Sequence, residues 1–154
     1  MADEVVAGIE SKFGDAITEV YEKSPRRVFI TVDPVRLPDV AEYLYKDVGC
    51  RFSIATGMHM AHGIEILYHF ALDRGNKFIN LRVILDTEKP SIESIATRVP
   101  AADWIEREMH ELLGIEFRNH PDMRHLLLTD DWPEDNYPLR RDWKDWRGGD
   151  DGKK

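Results

Sequence analysis

Two helical patterns of hydrophobic residues mark the first fifty positions of the chain. Each pattern places its apolar residues on one helix face. The residues of these two stripes are Val5, Val6, Ile9 and Phe13 in the first, and Val40, Tyr43, Leu44 and Val48 in the second. Gly14 and Gly49 follow the stripes, as is typical after a helix C-terminus. The patterns predict helices over residues 3–13 and from about Pro38 to residue 48.

Five segments have the two-residue period of a β-strand. They are residues 16–21, 28–32, 51–60, 64–72 and 79–85. In the third, alternation predicts one face with Phe52, Ile54, Met58 and Met60, and a small-residue face with Ser53, Ala55, Gly57 and Ala61. A turn at residues 73–76 makes the last three segments a predicted meander, and residues 91–97 are predicted to form a short helix capped by Ser91. The order predicts an α+β fold, a mixed β-sheet with helices packed on it, followed by an extended C-terminal arm.

The last predicted helix, residues 101–113, has an apolar stripe and an opposite polar face. The stripe consists of Ala101, Ala102, Ile105, Met109, Leu112 and Leu113, and the polar face of Asp103, Glu106, Arg107, His110 and Glu111. Asp103 with Arg107, and Arg107 with Glu111, have the spacing of weak helical ion pairs. Gly114 follows the helix. The polar face is expected to meet solvent, because it lies opposite the apolar stripe.

Glu108 is the exception, because it falls at the edge of the apolar stripe beside Trp104. A buried carboxylate needs a cation or several backbone donors. We expect Arg124 to supply the cation, since the chain must turn back at His120 and Pro121. The alternative is that Glu108 lies at the rim of the stripe and reaches water.

The segment from residue 105 to 141 has little regular hydrophobic period after the helix, yet it is rich in Trp, Leu and His-Pro. Irregular segments beyond about 12–15 residues are uncommon in compact domains and are usually functional or disordered. We therefore divide the chain into a compact domain (residues 1–117), a C-terminal arm that binds a partner (118–146) and a disordered tail (147–154).

Composition excludes several classes of protein. The chain has 154 residues, a formal net charge of -8 and one cysteine, Cys50. This charge disfavours binding to free nucleic acid or anionic lipid. One cysteine excludes a disulfide framework within the chain and a cysteine-ligated zinc or iron–sulfur site. The sequence shows no signal peptide and no apolar run long enough to cross a bilayer.

Residues that could perform catalysis lack the spacing that catalysis requires. His59 and His62 would face opposite sides of a strand, so a metal pair there needs a local bend. The acidic residues between 130 and 135 lack the spacing of a calcium loop, and no phosphate loop or nucleophile motif is present. We predict no catalytic, cofactor-binding or metal-binding residue. A stand-alone metal-dependent hydrolase using residues 110–135 and a small regulatory binding module remain the alternatives.

One long motif consists of the signature residues Glu106, Arg107, Glu108, Glu111, Gly114, His120, Pro121 and Arg124. This motif resembles the signature of the 30 kDa subunit family of NADH-quinone oxidoreductase, also called respiratory complex I. The Asp-Trp-Pro at 131–133 and the Tyr-Pro-Leu-Arg-Arg-Asp at 137–142 resemble the closing segment of the family. The same signature occurs in energy-converting nickel–iron hydrogenases. The sequence ends soon after this motif, which leaves the particular complex open.

The resemblance implies a non-catalytic scaffold subunit on the cytoplasmic side of the cell membrane. It implies docking on a large catalytic subunit beside iron–sulfur subunits, with no cofactor in this chain. The iron–sulfur clusters, and in hydrogenases a nickel–iron centre, belong to the partner subunits. The residues that we expect to contact the partner are Phe117, Leu126, Leu127, Leu128, Trp132, Tyr137, Pro138, Leu139, Arg140 and Arg141.

Overall fold

The computed structural model describes residues 2–147. Its helices are α1 (Ala2–Phe13), α2 (Leu37–Glu42) and α3 (Asp103–Leu113). Its strands are β1 (Ile17–Ser24), β2 (Arg27–Val32), β3 (Arg51–Met60), β4 (Gly63–Leu72), β5 (Lys77–Leu85), β6 (Ser91–Glu93) and β7 (Glu116–Arg118). Apart from Arg147, the predicted disordered tail lies outside the described residues.

The first five strands form one mixed sheet in the order β1-β2-β5-β4-β3. β2 and β5 run parallel, and the other neighbours are antiparallel. β3, β4 and β5 form the predicted meander, and Asn76 closes the last hairpin in a left-handed conformation, with φ 46°. The predicted α+β fold with a mixed sheet is confirmed.

The central strand β4 supplies much of the hydrophobic core. Its buried side chains include those of Ile64, Ile66, Tyr68, Phe70 and Leu72. The apolar stripes of the first two helices join the same cluster through Ile9, Val40 and Leu44. Full burial of one such aliphatic or aromatic side chain contributes about 1.5–3 kcal/mol. The second helix is regular only over α2 and continues through Tyr43–Asp47 with π-helical hydrogen bonds.

The predicted alternation of β3 is wrong at its beginning. A β-bulge between Phe52 and Ile54 shifts the register against β4. As a result Ile54 is 50% exposed, whereas Ala55 is only 3% exposed. An extra residue in one strand turns the following side chains to the opposite face, so Ile54 leaves the face on which Phe52 is buried.

The short helix predicted over residues 91–97 is also wrong. Ser91–Glu93 is β6, which pairs in parallel with β7. Ser94 N–H continues this pairing by donating to Arg118 O at 2.9 Å. The two strands of this small sheet precede and follow α3 in the sequence. The domain boundary predicted between residues 117 and 118 falls inside β7. Local helix signals could not anticipate a strand partner that lies beyond the next helix.

Helix α3 packs closely on β3 at Gly57. A Cβ atom there would lie 2.6 Å from Leu113 Cδ1 and 3.0 Å from Met109 Sδ. At this position the small-residue face therefore receives the side chains of Leu113 and Met109. Glycine lets the helix and the strand approach within van der Waals contact.

We expect Gly57→Val to destabilise the protein by about 1–3 kcal/mol, the usual cost of overpacking a tight contact. Ser53→Val is the matched control, because Ser53 is exposed on the same strand. Urea denaturation of the three proteins measures the difference. Equal stability of Gly57→Val and wild type would show that α3 does not need this close contact.

Candidate docking surface

Helix α3 buries the face that its sequence predicts to be solvated. Glu106, Arg107 and Glu111 are 0%, 8% and 5% exposed. Neither predicted helical ion pair of Arg107 forms in the described part of the chain. Instead, the side chains of this face bind main-chain groups of other segments, and the C-terminal arm covers part of it. The prediction failed because helical periodicity does not show where the chain returns.

Arg107 holds the arm through two of its carbonyl groups. Its Nε donates to Arg124 O at 3.0 Å, and its Nη2 donates to His125 O at 2.8 Å. The planar guanidinium presents these donors in a fixed geometry. Arg107 therefore fixes the path of the main chain and does not recognise a particular side chain there.

Glu111 holds the next residues through their amides. Its Oε2 accepts the N–H of Leu127 at 2.8 Å, its Oε1 accepts the N–H of Leu126, and His125 Nδ1 lies 3.0 Å from Oε1. Burial opposes ionisation, but the N–H groups of the three leucines at 126–128 outweigh it and lower the pKa of Glu111. We name Arg107, Glu111 and the main chain of residues 124–128 the clamp.

The ion pair predicted between Glu108 and Arg124 does not form. The Arg124 side chain is 81% exposed and binds Asp122, with its Nη2 at 2.6 Å from Oδ2. This contact holds the pKa of Asp122 at about 2. Glu108 is half-buried at the edge of the apolar stripe, which agrees with the alternative of a rim position. Clamping of the returning chain therefore falls to Arg107 and Glu111.

Glu106 is the most buried carboxyl group of α3. It accepts the Ser94 hydroxyl and, at 2.9 Å, the N–H of Ile95. Burial raises the pKa of Glu106 to about 7 despite these two donors. The Tyr68 hydroxyl and Asp103 Oδ1 are buried without a hydrogen-bond partner among residues 2–147. Burial, followed by the charge of Glu106, raises the pKa of Tyr68.

His120 joins this buried cluster to the start of the arm. Its ring Nε2 donates to Asp103 O at 3.1 Å, and its Nδ1 accepts the N–H of Asp122 at 3.0 Å. Because Nδ1 accepts a hydrogen bond, this geometry fits the neutral ring. Glu106 Oε2 lies 3.8 Å from the same Nε2. His120, with Pro121 after it, thus fixes where the chain leaves β7.

Further hydrogen bonds attach the end of the arm to the domain. Arg140 donates to Thr87 O at 2.6 Å and also to Leu113 O. The carbonyl of Leu113 lies at the C-terminus of α3, where the last carbonyls have no donor within the helix. The N–H of Arg141 donates to His59 Nδ1 at 3.0 Å. Gly114 ends α3 with φ 73°, and a Cβ there would lie 2.5 Å from the Tyr137 ring.

The predicted partner residues divide into exposed and internal ones. Leu127, Leu139 and Arg141 are exposed. Leu126, Leu128, Trp132, Tyr137, Pro138 and Arg140 are half-buried. Phe117 is buried in the core cluster, so its prediction as a surface anchor is corrected. It was misassigned because β7 begins before the arm and pairs with β6.

Sequence reasoning missed two exposed apolar residues near α3. Trp104 is 70% exposed, and Ile54 reaches the surface because of the bulge in β3. The position of Trp104 at the edge of the apolar stripe could have indicated its exposure. The bulge could not be read from the sequence, because alternation alone assigned Ile54 to the face of Phe52.

A cleft of about 290 Å³ separates α3 from the arm, and His110, His125 and Glu134 are among its lining residues. His110 Nδ1 lies 2.9 Å from Ile115 O and His125 binds Glu111, so each ring is oriented by an acceptor. Among residues 2–147, no three His, Cys, Asp or Glu side chains are grouped so that they could hold a metal ion. The polar residues that line this cleft therefore support the arm.

The signature motif of the sequence lies on α3 and at the beginning of the arm, where its residues hold these elements together. The profile described as "Respiratory-chain NADH dehydrogenase, 30 Kd subunit" matches residues 30–146. The chain belongs to this family. Its predicted family resemblance is thus confirmed, and the signature residues Glu106, Arg107 and Glu111 are those that hold the arm and the β6 segment.

Two relatives illustrate the range of the family. The C subunit of NADH-quinone oxidoreductase from Chloroherpeton thalassium is 37% identical over 142 residues, which cover 88% of this chain and 58% of the relative. Formate hydrogenlyase subunit 5 of Escherichia coli (strain K12) is 34% identical over 146 residues, covering 92% of this chain and 26% of the relative. The chain thus spans about a quarter of one relative and somewhat more than half of the other.

A chain of the membrane-bound sulfane sulfur reductase, an archaeal respiratory membrane complex, has the same fold. Its TM-score is 0.80 at 22% identity, and the match covers 95% of this chain and 87% of that chain. At this identity the likeness concerns the fold alone. It extends the similarity over nearly the whole chain, including the region of the arm.

We expect Glu111→Gln to loosen the arm. Glutamine keeps one acceptor oxygen but loses the charge and the second oxygen, so some of the part-buried amides of residues 126–128 lose their acceptor. The cost of such a loss is about 1–3 kcal/mol. Amide hydrogen exchange should become faster at residues 126–128 but stay unchanged in Glu116→Gln, since Glu116 is exposed on β7. Unchanged exchange at 126–128 in both variants would contradict the clamp.

We expect Glu106 to make stability depend on pH. Its pKa rises from 4.5 to about 7 on folding, so the folded state binds this proton more tightly than the unfolded state. The resulting stabilisation is complete below about pH 4.5 and is lost as the pH rises through about 7, a change on the order of 3 kcal/mol.

Urea denaturation across this pH range tests the role of Glu106. The difference in free energy of unfolding between wild type and Glu106→Gln should change with pH. The difference between wild type and Glu116→Gln should stay constant. Parallel curves for wild type and Glu106→Gln would mean that Glu106 does not titrate in this range in the folded protein.

Proposed function

We propose that the chain is a non-catalytic scaffold subunit of a complex I-like, membrane-bound oxidoreductase. In this proposal it docks on the large catalytic subunit beside iron–sulfur subunits and supports electron transfer coupled to ion translocation. Family membership supports the proposal, as do relatives named after both a quinone oxidoreductase and a hydrogenlyase. In formate hydrogenlyase subunit 5, the region similar to this chain is about a quarter of one longer polypeptide, so that region is attached there to further protein.

The clamp is the observation that carries the proposal. It fixes an irregular segment through main-chain groups and leaves the side chain of Leu127 more than half exposed, as is that of Leu139 further along the arm. A segment held in one conformation before binding loses less entropy when a partner covers it. Leu127, Leu139 and Arg141 are therefore the residues of the arm that we propose to lie against the large subunit.

The proposed cofactors belong to the partner subunits. Cys50 is buried, and burial raises the pKa of its thiol to about 11, which disfavours the thiolate needed for a cluster ligand. Iron–sulfur clusters, and a nickel–iron centre in the hydrogenase version, would then lie outside this chain. No described helix is long and apolar enough to cross a membrane. We propose that partner subunits hold this one at the cytoplasmic side of the membrane.

The proposal has two versions, which differ in the electron donor and acceptor of the complex. A neighbouring gene for a large subunit with two C-x-x-C pairs would indicate the hydrogenase version, and one without them the quinone version. The alternative of a stand-alone metal-dependent hydrolase gains no support from residues 110–135, whose histidines are oriented by protein acceptors. A small regulatory binding module is likewise not favoured by family membership.

Affinity purification of the tagged chain from native membranes tests the proposal. We expect a large subunit and iron–sulfur proteins to be recovered with it in constant proportion. Leu127→Asp and Leu139→Asp should each reduce this recovery, because a carboxylate would replace an apolar contact. Val35→Asp is the matched control, since Val35 is exposed at a turn outside the arm. Recovery of the wild-type chain as a free monomer would contradict the scaffold function.

A further inference from the structure

A second surface lies between the bulged part of β3, the beginning of α3 and the arm. It is a cleft of about 600 Å³ whose lining includes Ile54, Trp104, Ile105, Glu108, Leu126 and Leu127. Three separate elements contribute to it, so its shape depends on both the bulge and the clamp. The clamp fixes Leu126 and Leu127 through their amides, while the bulge turns Ile54 outward.

The walls of this cleft are apolar and open to solvent. Trp104 is 70% exposed and Leu127 is 59% exposed, and half-exposed Ile54 belongs to the same lining. Clustered exposed apolar residues mark interaction sites more often than single ones do. Tryptophan is also among the residues that contribute most to protein interfaces.

Glu108 gives the cleft a chemical preference. It lies four residues after Trp104, on the same side of α3. Among residues 2–147, no cationic nitrogen lies within 4 Å of its carboxylate, in contrast to Asp122 beside Arg124. Any partner that excludes water from this cleft would leave the carboxylate unpaired unless it brought a cation or several backbone donors. Charge complementarity therefore points to an occupant with a lysine or an arginine.

We propose that this cleft binds an apolar segment of a neighbouring subunit that carries a lysine or arginine for Glu108. The inference rests on the proposed function, because it requires a partner subunit, and it adds a contact outside the exposed side chains of Leu139 and Arg141. The negative charge of this chain, -8 in all, agrees with a basic occupant. Residues 148–154 read GGDDGKK and bring no apolar side chain, so they do not fit the cleft.

The occupant inserts side chains and does not add a strand to the sheet. β3 is the edge strand on this side, and an edge can pair with an incoming strand. The bulge between Phe52 and Ile54, in the pairing of β3 with β4, increases the local twist of this part of the edge strand and so disfavours pairing with an incoming strand. The outward side chains of Ile54 and Trp104 thus offer the contact, with Glu108 as its polar end.

Photo-crosslinking in the native membrane complex tests the proposal. A photoreactive amino acid replaces Trp104 in the tagged chain, and a matched control replaces Val35. We expect the residue at 104 to crosslink to a partner-subunit peptide with apolar residues and a lysine or arginine nearby. The residue at 35 should not crosslink to that peptide.

Charge reversal then tests the contact itself. Glu108→Lys should reduce recovery of the crosslinked subunit about tenfold or more, because two cations would then face each other across the contact. Replacing the partner's basic residue by glutamate should restore recovery. Glu10→Lys is the matched control, because Glu10 is exposed on α1. Unchanged thermal unfolding of Glu108→Lys shows that the fold is intact.

Three outcomes would overturn the inference. Crosslinks from position 104 only to a second copy of this chain would identify a different occupant. An intact complex with no partner crosslink at 104, or with no effect of Glu108→Lys, would exclude this contact and leave the scaffold function standing. Recovery of the wild-type chain alone would remove the scaffold function and this inference together.

Discussion

The structure beyond β7 depends on two buried charged side chains that bind main-chain groups. Arg107 donates to two carbonyls of the arm, and Glu111 accepts the amides that follow them. A segment without regular secondary structure must satisfy its buried polar groups elsewhere. These two side chains of α3 replace the hydrogen bonds that a helix or a sheet would provide. The positions of Leu126 and Leu127 follow from this arrangement.

The elements that could be predicted from sequence are those whose pattern is local. β4 alternates without interruption, and the stripes of α1 and α2 are continuous, so their buried faces are as expected. β6 was not predicted, because its partner β7 lies on the far side of α3. The bulge in β3 was not predicted, because a single inserted residue reverses the faces of the strand without changing its composition. Periodicity describes the pattern of a single segment and contains no information on the distant segments that pack or pair with it.

The candidate site shows the same limit in its chemistry. The sequence predicted that Glu108 would hold the returning chain through Arg124, and this is wrong, because Glu111 holds the chain through its main-chain amides. Polar residues on a helix face were expected to meet water, whereas Glu106 and Arg107 are buried by segments that return to α3. Glu108 lies instead at the cleft where Trp104 and Ile54 are exposed. Among the signature residues, Arg107 and Glu111 thus build the surface, and Glu108 lies on it.

Because Glu111 binds residues 126–128 through their amides, this part of the clamp does not depend on the side chains of the three leucines. A substitution at residue 127 changes the chemistry of the surface without changing the groups that Glu111 binds. The path of the backbone and the choice of surface residues are therefore separate properties of the arm. With such an arrangement, the side chains at the contact can change while the supporting helix stays the same.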